Sequence, residues 1–328
     1  MRQARAPAKP RPIDRRVAQM QSGHATKAAD SQGHDERLEA LGRSRRSDSM
    51  TQILHRHRFQ LKGAAALALL SLAIPSSAAL ADGFKARYSV KLIGLSLGSA
   101  TLEGSVEPDA YQIDATAKLS GVAALVSSSR GAASASGLMA QGRIAPNAYA
   151  TTSANATMTR TVRMAMAAGN VKASEIAPPF EELPGRVLVT EAHKQKIIDP
   201  LSALIMTTPE GGPVIGPAAC NRSLPIYDGW ARFNVVLTYV GLRQVKVKGY
   251  EGPVAVCAAR YVAVAGHRPD RAATKYMENN KEMEVWLAPV GASRATVPFR
   301  ISVATMVGTT VIEATEFQTS PPEKSASR

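Results

Sequence analysis

Cysteine is almost missing from this chain of 328 residues: Cys220 and Cys257 are the only two. Neither belongs to a C-x-x-C spacing and neither has a histidine beside it, so a redox-active or metal-binding pair has no local support. Long apolar runs are missing as well. The longest, Gly63 through Ile74, is about a dozen residues, short of the roughly 20 that a membrane-crossing helix needs. Histidine is scarce after residue 81, where only His193 and His267 occur. They lie far apart with no carboxylate at ligand spacing, and His267-Arg268-Pro269-Asp270-Arg271 reads as a solvated loop. A zinc site or a histidine base therefore finds no support in the pattern. No cofactor is expected.

A basic stripe is lacking too, although the net charge is +14. Residues 1–49 hold 11 basic and 6 acidic side chains, residues 50–81 hold 3 and none, and residues 82–328 hold 26 and 20. The body of the chain is only mildly basic. It shows no lysine or arginine cluster interleaved with aromatics, so nucleic acid is not an expected partner.

Residues 1–49 are polar and show no apolar period, which reads as disorder. From Met50 an export signal unfolds in its usual order. The basic part is His55-Arg56-His57-Arg58-Phe59-Gln60-Leu61-Lys62, the apolar part runs to Ile74, and Pro75 ends the helix. Ala79 and Ala81 supply the small residues that a signal peptidase reads, so cleavage before Asp82 is expected. No cysteine follows the cut, which argues against a lipoprotein. The likeness of Met50 to an ordinary start suggests that residues 1–49 lie upstream of the true one. A genuine extended leader or cytoplasmic tail is the alternative. Contact with a membrane is expected only through the signal peptide before cleavage.

After residue 82 the texture is short alternating runs separated by Gly, Pro, Asn and Asp, the pattern of half-buried strands. Phe84, Ala86, Tyr88, Val90 and Leu92 share one face of the first. Further runs fall at 100–106, 111–117, 130–143, 147–157, 160–168, 186–193, 283–287, 299–303 and 309–317. Between the cysteines, Asp228-Gly229 signals a turn. Phe233, Val235, Leu237 and Tyr239 then alternate with polar residues, and Gln244–Lys248 and Val254–Cys257 follow as separate runs. Helix is scarce. Gly121–Val126 suits a short turn or helix. Asp199-Pro200-Leu201-Ser202-Ala203-Leu204-Ile205-Met206 suits a helix with Asp199 as its cap and Pro200 in the first turn, stopped by Pro209–Pro213.

In an exported protein an even count of two cysteines most simply means one disulfide, Cys220 to Cys257, here expected between neighbouring strands. Gly94-Leu95-Ser96-Leu97-Gly98 matches the G-x-S-x-G nucleophile pattern. That motif needs a helix after it, and strand-like residues follow, so a hairpin is the better reading. Asp228, Trp230 and Arg232 fall on alternate positions, which would set them on one strand face as a polar-aromatic contact patch. The plainer reading is a turn aspartate, a partly buried tryptophan and an arginine paired with a carboxylate. No catalytic or metal-binding residues are assigned.

Several of these residues together resemble one family. They are the export signal, Tyr88-Ser89-Val90 with the Gly94…Gly98 turn, Asp199 to Leu204, and Cys220. Tyr227-Asp228-Gly229-Trp230-Ala231-Arg232-Phe233 follows, then Cys257 with Tyr261, Val285-Trp286-Leu287 and Val297-Pro298-Phe299-Arg300. Over most of 84–317 the chain resembles the exported Gram-negative family known as domain of unknown function 3108. The resemblance implies location and architecture but no catalytic residues. The family usually has arginine where this chain has Trp230, which implies a weaker basic site here. Its members are similar in organisation to the curved half-barrels of periplasmic lipoprotein carriers, a likeness of fold rather than of function.

The expected fold is all-β with one or two short helices. An antiparallel curled sheet would form a partial or closed β-barrel over residues 82–318, followed by a disordered tail at 319–328. Phe233, Val235, Leu237 and Tyr239 should line its concave face, with Leu201, Leu204 and Ile205 against the same surface. The expected function is that of a non-enzymatic periplasmic envelope protein that binds a lipid, another apolar ligand or an envelope protein there. Two alternatives stand beside it: a hydrolase or transferase of envelope polymers with unlocated carboxylates, and a structural partner in an envelope assembly. The sequence does not determine an oligomeric state.

Overall fold

The computed structural model describes residues 82–120, 129–140 and 142–320. The signal segment with Ala79 and Ala81, the Gly121–Val126 turn and the end of the tail lie outside the described residues. The elements are β1 (Asp82–Leu92), β2 (Leu95–Val106), β3 (Ala110–Leu119), β4 (Arg130–Ala140), β5 (Arg143–Ala154), β6 (Thr159–Ala167), β7 (Asn170–Ala177) and β8 (Met206–Thr207). Then come α1 (Pro217–Cys220), β9 (Arg222–Tyr227), β10 (Arg232–Val247), β11 (Tyr250–Ala265), α2 (Ala272–Asn279), β12 (Met283–Pro289), β13 (Ala295–Thr305) and β14 (Gly308–Ser320).

The strands form one antiparallel sheet in the order β7-β6-β5-β4-β3-β2-β1-β14-β13-β12-β11-β10-β9, with β8 pairing β13 at the side. Two meanders, β1–β7 and β9–β14, are thus joined by the long ladder between β1 and β14. The path begins and ends on unpaired edges, so the sheet curls without closing a strand-to-strand ring. The chain around Ile197 partly bridges the gap. Ile197 donates to the Gly169 carbonyl in the β6–β7 turn (2.8 Å), while Ile198 donates to Pro225 (2.9 Å) and accepts from Tyr227 (3.0 Å) on β9. Gly229, with φ +96, presses on β6, because a β-carbon there would lie 2.5 Å from Val162 Cγ1.

Period-2 alternation builds the core as expected. Phe84, Ala86 and Tyr88 face inward on β1. They meet Tyr111, Ile113, Tyr149, Met164, Phe299 and Phe317 in one buried cluster. A second cluster surrounds Cys220 and Cys257 and includes Leu237, Met206 and Leu287. The two thiols form a disulfide with Cα atoms 5.4 Å apart. Cys220 ends α1 rather than lying on a strand, so the bridge ties a short helix to β11 instead of joining neighbouring strands.

Four other expectations change. The three runs after Phe233 are two long strands: β10 continues past a bulge at Val240, and Val254–Cys257 lies inside β11. The bulge reverses which face of β10 is buried. Val235, Leu237 and Tyr239 pack in the disulfide cluster, and Val245 and Val247 pack on the first core. Residues 186–193 do not form a strand. Val187 donates to His267 (2.9 Å) and accepts from Gly266 (2.7 Å), and Glu191–Lys194 forms a 3-10 turn in which His193 donates to Thr190 (3.0 Å). The helix expected from Asp199 shortens to one 3-10 turn, Ser202–Leu204, because Met206–Thr207 is drawn into pairing with Ala295–Thr296 of β13. The last strand continues to Ser320, pairing with Gly83.

Candidate functional site

The inner face is filled unevenly. Toward one end the inward side chains are large, with Phe84, Tyr111, Ile113, Tyr149, Phe299 and Phe317 packed together. Toward the other end the inward positions of β2, β3 and β4 carry Gly98 and Ala100, Ala115 and Ala117, and Gly131 and Ala133. Small residues there leave a groove of about 320 Å³, bounded by Tyr88, Leu102, Leu204, Pro298, Ile301 and Ile312. It continues toward the β1–β2 end into a mouth of about 370 Å³ that includes Val90, Leu119 and Met158. A β-carbon on Gly131 would meet only the Thr152 carbonyl, at 3.6 Å, which shows how open the groove is at that point.

Leu204, Pro298 and Ile301 separate this groove from a smaller apolar cavity of about 180 Å³. Val235, Leu237, Met283 and Val285 line its far side. Asp199 holds the dividing turn in place. Its Oδ1 accepts the backbone N–H groups of Leu201 (3.0 Å) and Ser202 (2.8 Å). Oδ2 is buried and has no hydrogen-bond partner among the described residues. Burial pushes the Asp199 pKa up from the usual carboxylate range, against the opposing effect of its Ser202 contacts. Ser202 is in turn hydrogen-bonded to the Tyr111 hydroxyl (2.7 Å). Burial also raises the Tyr111 and Tyr149 pKa values, helped by the Asp199 charge. A buried carboxylate thus pins the partition between two apolar spaces.

Of the residues singled out in sequence, Leu204 and Leu237 meet at the smaller cavity. Leu201 and Ile205 are buried in the first cluster. Tyr239 packs against the disulfide cluster, and Phe233 stacks on Tyr261 with ring centres 5.3 Å apart. Asp228, Trp230 and Arg232 do not share a strand face, because the first two belong to the turn before β10. Asp228 Oδ1 accepts from the backbone of Trp230 (2.8 Å) and Ala231 (2.6 Å). Arg232 finds no carboxylate among the described residues. It donates to the Phe233 carbonyl (2.6 Å) and Asn234 Oδ1 (2.7 Å), and burial lowers its pKa.

Trp230 is part of a stack across the open side of the sheet. Arg160 of β6 lies over Phe180 at 4.0 Å, Phe180 lies 4.4 Å from Trp230, and Arg186 lies over the Trp230 ring at 3.3 Å. Ser96 of the G-x-S-x-G run sits exposed on β2, inside a hairpin and with no helix after it. His193 Nδ1 accepts the Thr190 backbone N–H (3.1 Å). No group of three or more potential metal ligands occurs among the described residues.

The groove-forming residues went unnoticed in sequence because glycine and alanine at alternate positions read as strand without saying how much space lies beyond them. The available signal was joint: three successive strands carry small residues at the inward positions of the same end.

The matched family is described as a protein of unknown function, DUF3108, and spans residues 87–315; the chain belongs to it. No curated protein matches the chain. Among solved structures it is similar to a β-barrel-like protein of domain of unknown function DUF1849 from Brucella abortus. The identity is 10%, the match covers 74% of this chain and 98% of that one, and the TM-score is 0.45.

Proposed function

We propose that this protein is an exported, periplasmic cell-envelope protein that binds a lipid acyl chain or similar apolar ligand on its concave face, without catalysing a reaction. The observation that carries the reading is the groove lined by Ala100, Ala115, Ala117, Gly131 and Ala133. Its volume falls in the range of about 300–1,000 Å³ usual for ligand sites, and its lining is mostly apolar. Export rests on the signal segment at 50–81. The disulfide is compatible with an oxidising compartment, and no helix among the described residues is long and apolar enough to cross a membrane.

An envelope-polymer hydrolase or transferase would ask for convergent carboxylates. Asp199 is the one buried carboxylate among the described residues, and its Oδ1 is committed to capping a turn.

Native mass spectrometry of protein purified from periplasm tests the reading, with Ala133→Trp as the blocked form. Wild type should carry a lipid-sized adduct or take up an apolar fluorescent probe, and the folded variant should do neither. A wild type that stays free of adduct and of probe would overturn the proposal.

A further inference from the structure

Two hairpin tips at the mouth end of the groove carry large apolar side chains where polar or small residues are usual. Ile93 and Leu95 flank the β1–β2 turn at 67% and 65% exposure. Met306 and Val307 form the β13–β14 turn at 60% and 69%. The two tips touch. Ile93 donates its backbone N–H to Thr309 (3.0 Å), and its side chain covers Gly308, where a β-carbon would lie 2.4 Å from Ile93 Cγ1. Ile93 also holds φ +50, a left-handed conformation that a β-branched residue adopts only at a cost. Asparagine or glycine would relieve that strain and cover no apolar surface. Four exposed apolar side chains on two adjoining turns are a contiguous patch rather than scattered surface residues.

The charge around this patch is mostly positive, although exposed Glu282 also lies near the Met306–Val307 turn, its carbonyl accepting from Ala304 (3.0 Å). Lys91 is exposed two residues before Ile93, Lys118 and Arg130 are exposed at the groove mouth on the same end of the sheet, and none is in an ion pair among the described residues. The stretches 90–102, 115–174 and 301–312, which supply these strands and turns, contain no aspartate or glutamate. Lys118 and Arg130 are register partners on β3 and β4, directly beside the groove mouth. Apolar tips at the same end as three unpaired cations match an anionic bilayer surface. There the side chains enter the headgroup boundary and the cations meet phosphate. An acidic protein partner would satisfy the cations but would give the four apolar tips no apolar surface to enter.

We infer that the Ile93–Leu95 and Met306–Val307 tips dock this protein on anionic phospholipid bilayers, with the mouth of the inner groove facing the lipid. The docking gives an apolar chain a route between membrane and groove that avoids crossing open water. The docking surface does not depend on whether the groove holds lipid, so the two ideas can fail separately.

Vesicle flotation tests the docking. Wild type should float with vesicles of phosphatidylcholine mixed with phosphatidylglycerol, should bind poorly to phosphatidylcholine alone, and should be released by salt. Lys118→Gln and Arg130→Gln should each weaken binding about fivefold. Ile93→Asn combined with Val307→Asn should abolish flotation while thermal unfolding stays as high as in wild type, since asparagine tolerates the left-handed backbone. The groove-blocked Ala133→Trp should still float. A wild type that ignores anionic vesicles overturns the docking, as does flotation unaffected by the tip variants. Tip-dependent dimers in place of flotation overturn it as well, by identifying a second copy as the occupant. Flotation that persists in a protein that never takes up lipid leaves the docking intact and removes the carrier reading alone.

Discussion

The guanidinium carbon of Arg186 lies 3.3 Å from the centre of the Trp230 ring, and the same side chain donates to the carbonyls of Gly266 (2.8 Å) and Trp230. With Phe180 against Trp230 and Arg160 over Phe180, this stack fastens the β9–β10 turn to β6, where the sheet has no ladder of its own. Trp230 thus works as a clasp on the seam.

Breaking the clasp should loosen the seam. Arg186→Ala loses the cation–π contact and leaves two carbonyls without their donor, which together should cost about 1–3 kcal/mol in urea unfolding. Arg186→Lys should recover little, because an ammonium cannot stack flat on the ring and reach both carbonyls. Trp230→Arg should destabilise by setting one guanidinium against another. Hydrogen exchange should rise first in β6 and β9. Unchanged stability in Arg186→Ala would remove the clasp.

The disulfide gives a second expectation. Its partners are 37 residues apart, and the chain-entropy account gives about 3.5–4 kcal/mol for a loop of that size. Cys220→Ala and Cys257→Ala should lose similar amounts, because either change removes the same cross-link and both residues are fully buried. Thiol titration of the native wild type should find no reactive group. Unequal losses, or two thiols that react without unfolding, would contradict the pairing.

Much of this architecture was legible in the sequence because strand alternation survives wherever one face is buried. Phe84, Ala86 and Tyr88 announced β1, and the Asp228-Gly229 turn announced the start of β10. What failed did so for tertiary reasons. Val240 adds one residue to β10, and the bulge made a single strand look like two runs. The Asp199 cap formed as its residue type predicts, but pairing of Met206 with Thr296 stopped the helix after one turn. The α2 helix carries no buried residue and so left no apolar stripe to read. The groove itself depends on side chains that are absent: Ala117 and Gly131 enclose space only because Leu204, Pro298 and Ile301 stop short of them.

Asp199 should make stability depend on pH in an unusual direction. Its pKa is raised in the folded protein, so the native state keeps this proton to higher pH than the unfolded chain does. The group favours folding most below the ordinary carboxylate value. That advantage is lost as pH climbs from there through the raised folded value. Asp199→Asn keeps an oxygen to accept from Leu201 and Ser202 and does not titrate. Wild type should therefore lose stability relative to Asp199→Asn as pH rises across that window. Asp199→Ala loses the cap at every pH, at about 0.5–2 kcal/mol. A difference between wild type and Asp199→Asn that does not change with pH would mean that the carboxylate is not held out of water.

The filled and open parts of the interior should answer differently to mutation. Leu237 is 2% exposed and packed beside the disulfide. Leu237→Ala should cost about 2–5 kcal/mol as a cavity in a packed region, and it should leave uptake of an apolar probe by the larger groove little changed. Gly131 faces open space on β4 without a left-handed backbone. Gly131→Leu should therefore cost little stability and should instead compete with the probe, because its side chain would occupy the space the probe needs. Denaturant melts and probe titrations on the two variants give the four values required. A Gly131→Leu protein as unstable as Leu237→Ala would mean that the groove closes in solution. The small residues of β2, β3 and β4 would then serve packing rather than binding.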